Sequence, residues 1–117
     1  MAGFVRATRR AHDVALGPIG IAMFIVLLRF SSNKHQAGRF IEGHKRWIKR
    51  GFDEGVFLLA GSLEPGSGGA ILAHNTSASA LERRVGEDPF VAEHVVSAEI
   101  LQLTPSTADK RLSFLLN

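Results

Sequence analysis

The sequence predicts an α+β domain of βαββαβ order, a ferredoxin-like arrangement with a four-stranded antiparallel sheet, and three observations carry that expectation. A short β-branched run at residues 23–30 precedes a long apolar stripe at helical spacing; a glycine-rich turn then joins two further apolar runs; and a second capped helix leads into a last apolar strand. The chain has 117 residues, 45% apolar and 21% charged, the composition of one globular domain rather than of a disordered or fibrous chain. A chain of this length can bury roughly two thirds of its unfolded surface, so it needs no covalent staples. Cysteine is absent, which excludes disulfides, thiolate nucleophiles and thiolate metal sites, and makes a cytoplasmic location the default expectation.

The first element, Met23 to Phe30 (MFIVLLRF), is too short and too β-branched for a helix and reads as a buried strand. Ser31, Ser32 and Asn33 end it and offer side-chain oxygens as N-caps for a helix. Ala37, Phe40, Ile41, His44, Trp47, Ile48, Gly51 and Phe52 then recur at steps of mostly three and four, one stripe down a helix ending near Glu54, with Gly55 as the stop. Val56 to Leu63 is the second strand, EPGSGG the turn, and Ala70 to His74 the returning strand. Thr76 and Ser77 cap a shorter helix through Leu81 and Val85, closed by Gly86 and the Asp88-Pro89 pair. Val95 to Leu103 is the fourth strand, and residues 105–117 form a tail with a short terminal helix through Leu112, Leu115 and Leu116. Residues 1–22 are expected to be an extension, with the folded domain beginning at Met23.

The first two strands are apolar at nearly every position, so both faces of the sheet are expected to lie against something. A second copy of the chain is the simplest cover, giving a homodimer whose sheets face each other. A ligand cavity would lie between sheet and helix or between subunits.

The net charge of +3 raises the question of nucleic acid, but Lys45, Arg46, Lys49 and Arg50 fall opposite the apolar stripe and read as a solvated helix face. No aromatic stacking motif accompanies them or Arg6, Arg9 and Arg10, so nucleic acid is not an expected partner. The basic start followed by the run from Val14 to Leu28 imitates a signal peptide. Pro18 and the direct passage into Arg29, with no clear small-residue cleavage site, argue against export and against a membrane span. EPGSGG lacks the lysine of a phosphate loop, and no pair among His44, His74 and His94 has metal-ligand spacing, so neither a cofactor nor a metal is expected.

His44 is the candidate chemical residue: one ionisable ring among Phe40, Ile41, Trp47 and Ile48 on an apolar helix face. Such a ring loses hydration at a cost of roughly 1–3 kcal/mol unless a partner restores its hydrogen bonds. A structural histidine and a proton-transfer group are both compatible with the pattern. Asp88, in EDPF, is the most suggestive partner, where it would fix the tautomer of the ring; alternatively it caps a turn before proline and never approaches His44. Arg29 would hold an anionic substrate group if its side chain faced the pocket, or else be a charged strand end at the solvent. Ser62, His74 and His94 are weaker candidates, Ser62 as a substrate contact.

The first strand, GHKRWIKRGFDEGVFLLAGSL from Gly43 to Leu63, GGAILAH and EDPF together resemble a YciI-like (YCII-related) domain over residues 23–104. The resemblance rests on the helix histidine, the step through Glu54, Gly55, Leu59, Ala60 and Gly61 into the second strand, and the DPF segment. It implies a ferredoxin-like fold assembled as a dimeric α+β barrel, similar to muconolactone isomerase and the cofactor-free monooxygenases of that superfamily. It also places an active-site His–Asp pair on His44 and Asp88, in a family where most members have no assigned reaction. Residues 1–22 and the last dozen residues depart from the family pattern. Two functions compete: a cofactor-independent enzyme of lyase, isomerase or hydrolase type acting on a small molecule, and a non-catalytic ligand-binding or dimeric interaction module.

Overall fold

In the structure, a computed structural model, residues 5–8 and 22–116 are described. Among them five strands, β1 (Val5–Thr8), β2 (Met23–Phe30), β3 (Phe57–Leu63), β4 (Gly68–Ala73) and β5 (Val96–Leu103), form one sheet in the order β1-β5-β2-β4-β3. The last four are the predicted antiparallel set, and their order is the ferredoxin-like one. Helix α1 (Ala37–Asp53) crosses from β2 to β3, while α2 (Ala78–Gly86) and a one-turn α3 (Pro89–Ala92) cross from β4 to β5. Strand β1 lies outside the domain start expected at Met23, and pairs parallel to β5, Val5 opposite Ala98 and Thr8 opposite Leu101. Residues 9–21, with Arg9, Arg10 and much of the signal-like run, lie outside the described residues.

Alternation along the strands decides which face is buried. Phe24, Val26 and Leu28 of β2, Ile71 and Ala73 of β4, and Val96, Ala98 and Ile100 of β5 are core, packed with Trp47 of α1, Leu81 and Val85 of α2, and Phe90 and Val91 of α3. Each such large side chain contributes about 1.5–3 kcal/mol by leaving water. Packing is closest at Gly51, where a Cβ would lie 2.1 Å from the Phe57 ring. Trp47 Nε1 donates at 2.9 Å to the carbonyl of Arg84, which also accepts the Glu87 amide, and so ties α1 to the end of α2. On the opposite face Ile25, Leu27 and Leu72 are half-buried and Leu59 is 60% exposed, so the described residues of one chain cover only one face of the sheet.

Several local expectations hold. Ser77 Oγ accepts the Ala80 amide at 3.1 Å as the cap of α2, and Gly55, at φ +77°, lies just past the end of α1. Lys45, Arg46, Lys49 and Arg50 are exposed. Others are corrected. No side chain caps α1; a 3-10 turn at Lys34–Gln36 precedes it instead. Asn33 uses its side chain to donate to the Glu93 carbonyl at 2.8 Å, which ties the entry of α1 to the exit of α3. Phe52, at the end of the stripe, is exposed because α1 ends one residue later. The tail forms a kinked 3-10 helix, Lys110–Leu116, that buries Leu115 and leaves Leu112 and Leu116 exposed. No helix among the described residues is long and apolar enough to cross a membrane.

Candidate functional site

The site is assembled by α1 and α3. Gly43, just before His44, faces Pro89, just after Asp88; a Cβ at position 43 would come within 3.1 Å of Pro89 Cγ. The missing side chain therefore lets α3 approach the turn of α1 that carries the histidine. Asp88 is the N-cap of α3, its Oδ1 accepting the Phe90 amide at 3.0 Å, and Pro89 holds the first position of that turn. The same Oδ1 lies 2.8 Å from His44 Nδ1. Capping and pairing, alternatives on the sequence, are thus one arrangement: the cap fixes the carboxylate where the ring meets it.

Asp88 is 0% exposed, and its Oδ2 is the one buried side-chain polar atom without a partner among the described residues. An ionised carboxylate only accepts, so with Asp88 ionised its Oδ1 receives both the Phe90 amide proton and a proton carried on His44 Nδ1. The neutral ring then presents an unprotonated Nε2. Phe90 lies parallel to the imidazole, centroids 4.0 Å apart at 7°, and Trp47 flanks it at 6.0 Å. Ring plane, tautomer and orientation are therefore all set by neighbours. Among the described residues Nε2 has no hydrogen-bond partner, and it is not one of the buried unpartnered atoms, so it is open to the adjoining space.

That space is a cleft of about 310 Å³ between α1 and the covered face of the sheet. Ile41, His44 and Ile48 of α1 line one side; Leu28, Phe30 and Ile71 face them from the sheet, and Phe90 borders it beside the histidine ring. Apart from Ile71, the hairpin contributes only small residues: Ala60, Gly61 and Ser62 on β3, with Ala70 and Gly69 opposite the last two on β4. A bulge sets their direction. The register skips from Phe57 paired with Ala73 to Leu59 paired with Leu72, so Phe57 faces the helices and Ala60 and Ser62 do so as well. Without the extra residue Ser62 would point to the open face. Gly68, at φ +135°, approaches β2 so closely that a Cβ would lie 1.9 Å from the Leu28 carbonyl oxygen.

Of the residues singled out in the sequence, His44, Asp88 and Ser62 come to this cleft or its wall, and Arg29 does not. The Arg29 side chain is 54% exposed and pairs with Glu99 at 3.2 Å on the open side of the sheet, its cross-strand neighbourhood. It is the charged strand end of the two alternatives. His74 packs edge-on against Phe114 at 5.7 Å, and His94 occupies a left-handed turn at φ +62°; neither lines the cleft. No group of three His, Cys, Asp or Glu residues among the described residues could hold a metal. Gly43 and the bulge at Leu58 escape sequence reasoning. Their signals are faint: a glycine in an otherwise good helix, and an odd spacing between Phe57 and Ser62.

No protein-family model matches the chain, and no curated protein matches its sequence.

Proposed function

We propose that the protein is a cofactor-independent enzyme that moves a proton on a small molecule bound in the cleft, with His44 as the acid–base group and Asp88 as its positioning partner. The observation that carries this reading is the buried pair: a carboxylate fixed at 2.8 Å from Nδ1 leaves Nε2 as a base facing an apolar cleft. The resemblance to YciI-like domains supports the same two residues. Ser62, on the cleft wall, supplies a hydroxyl to orient the ligand. A purely ligand-binding module would use the same cleft and give no turnover.

Nitrobenzisoxazole, a compact neutral probe whose ring opens to a coloured nitrophenolate when a base removes its carbon-bound proton, tests the assignment without knowledge of the substrate. The wild-type protein is expected to open it faster than free imidazole does. His44→Gln should lower that rate about a hundredfold or more, with an unchanged circular dichroism spectrum. A folded His44→Gln protein of wild-type rate would refute the role of the ring.

The reading includes a second copy of the chain over the open sheet face, where Leu59 is 60% exposed beside half-buried Leu72 and Ile25, an apolar surface of the kind that marks an interface. Sedimentation should give a dimer for the wild type and a monomer for Leu59→Glu; a monomeric wild type would remove this part of the proposal. The cleft itself is built from one chain, so the dyad does not depend on the outcome.

A further inference from the structure

We infer that the cleft selects uncharged, compact molecules and rejects both carboxylates and ammonium groups of the same shape. This rests on the cleft being the active site, and it concerns the charge of what enters rather than the chemistry performed on it. The first observation is the lining. Among the described residues no Lys, Arg, Asp or Glu borders the cleft, and Arg29, the cation that would have received an anionic group, is held on the open face by Glu99. A charged ligand between Ile41, Ile48, Leu28 and Ile71 would lose hydration with no fixed counter-charge on the wall, a penalty far larger than that for a hydroxyl or carbonyl that can bond to a single partner.

The second observation is the charge of the dyad. Asp88 is fully buried, and His44 is its ion-pair partner among the described residues. With the carboxylate ionised, the pair carries either no net charge, when the ring is protonated, or a negative one, when it is neutral. An anionic ligand therefore meets zero or unfavourable potential in either protonation state. A cation finds no direct partner either, because the carboxylate is fully buried behind the ring, with Oδ1 committed to Nδ1 and the Phe90 amide, and its lost hydration is not replaced by contact with a charge. What remains is a molecule of the size of a substituted single ring, apolar over most of its surface, presenting one hydrogen-bonding group to Nε2 and a second within reach of Ser62. Phenols and enols have that chemistry; their carboxylated counterparts do not. A cleft of about 310 Å³ is at the small end of ligand sites, which agrees with a compact occupant.

Benzyl alcohol, benzoate and benzylammonium share one ring and a short substituent and differ in charge. Titrated into the wild-type protein near neutral pH and followed by NMR at the His44 ring and the methyl groups of Ile41 and Ile48, benzyl alcohol is expected to perturb all three sites. Benzoate and benzylammonium should bind about tenfold more weakly or worse. Ser62→Leu, which fills the wall, should abolish the benzyl alcohol response. Benzoate binding as tightly as benzyl alcohol, or tighter, would overturn the inference and leave the dyad untouched. The same holds for benzylammonium. A benzyl alcohol response unchanged in Ser62→Leu would place binding outside the cleft and overturn it too. If none of the three perturbs these residues, the cleft is not a ligand site, and the inference falls together with the proposed function. Wild-type nitrobenzisoxazole turnover in a folded His44→Gln protein, with the preference for benzyl alcohol intact, separates the two in the other direction: it removes the acid–base role and leaves the inference standing.

Discussion

The layer between helices and sheet has two ends, and they are built in opposite ways. Toward Trp47 and Phe57 it is full: Trp47, Phe24, Leu81 and Val85 are wholly buried, and the backbone at Gly51 touches the Phe57 ring so closely that no Cβ fits. Toward Phe30 and Ser62 it is hollow: Ile41 and Ile48 continue the same apolar stripe of α1 but are only half-buried, because Ala60, Ser62 and Gly69 across the cleft are too small to reach them. His44 stands at the boundary, with Trp47 on one side and the cleft on the other. One continuous stripe thus serves two ends, and side-chain volume on the facing hairpin decides which is core and which is site.

Substitutions that change volume should separate the ends. Gly51→Ala, at the full end, forces a Cβ into the Phe57 ring and is expected to cost about 3 kcal/mol, read from chemical denaturation. A loss below about 0.5 kcal/mol would mean that the packed end yields as readily as the exposed surface does. Ser62→Leu, at the hollow end, adds more atoms yet should change stability by no more than about 0.5 kcal/mol, because the new side chain enters open space. A loss comparable with that of Gly51→Ala would show that the cleft is closed in solution.

The fold is legible because its signals are local and agree with one another. MFIVLLRF, the stripe of α1, the Ser77 cap and the glycine-rich turn each specify their own element, and the βαββαβ order leaves few ways to pair the strands. The paired site is legible only as a choice. His44 stands out as an ionisable ring on an apolar face, and Asp88 as a cap before proline, but what brings them together is the contact of Gly43 with Pro89, which joins residues far apart in sequence. No periodicity reports such a contact. The bulge at Leu58 is hidden for a related reason: one extra residue in an apolar strand looks like continuation, yet it turns Ala60 and Ser62 toward the helices. Strand β1 escapes because its partner β5 lies about ninety residues away, and four residues so close to a run of arginines carry little strand signal of their own.

The central claim is that Asp88 acts through His44, and a double-mutant cycle on nitrobenzisoxazole opening tests it most directly. Asn at position 88 keeps an oxygen to cap α3 while removing the charge, so Asp88→Asn should remain folded and lower the rate by about tenfold or more. Combined with His44→Gln it should lower the rate no further than His44→Gln alone, since a positioning residue has nothing left to position. Equal slowing by Asp88→Asn in the wild-type and His44→Gln backgrounds would contradict the dyad, and would return Asp88 to the role of a helix cap that happens to lie beside a histidine.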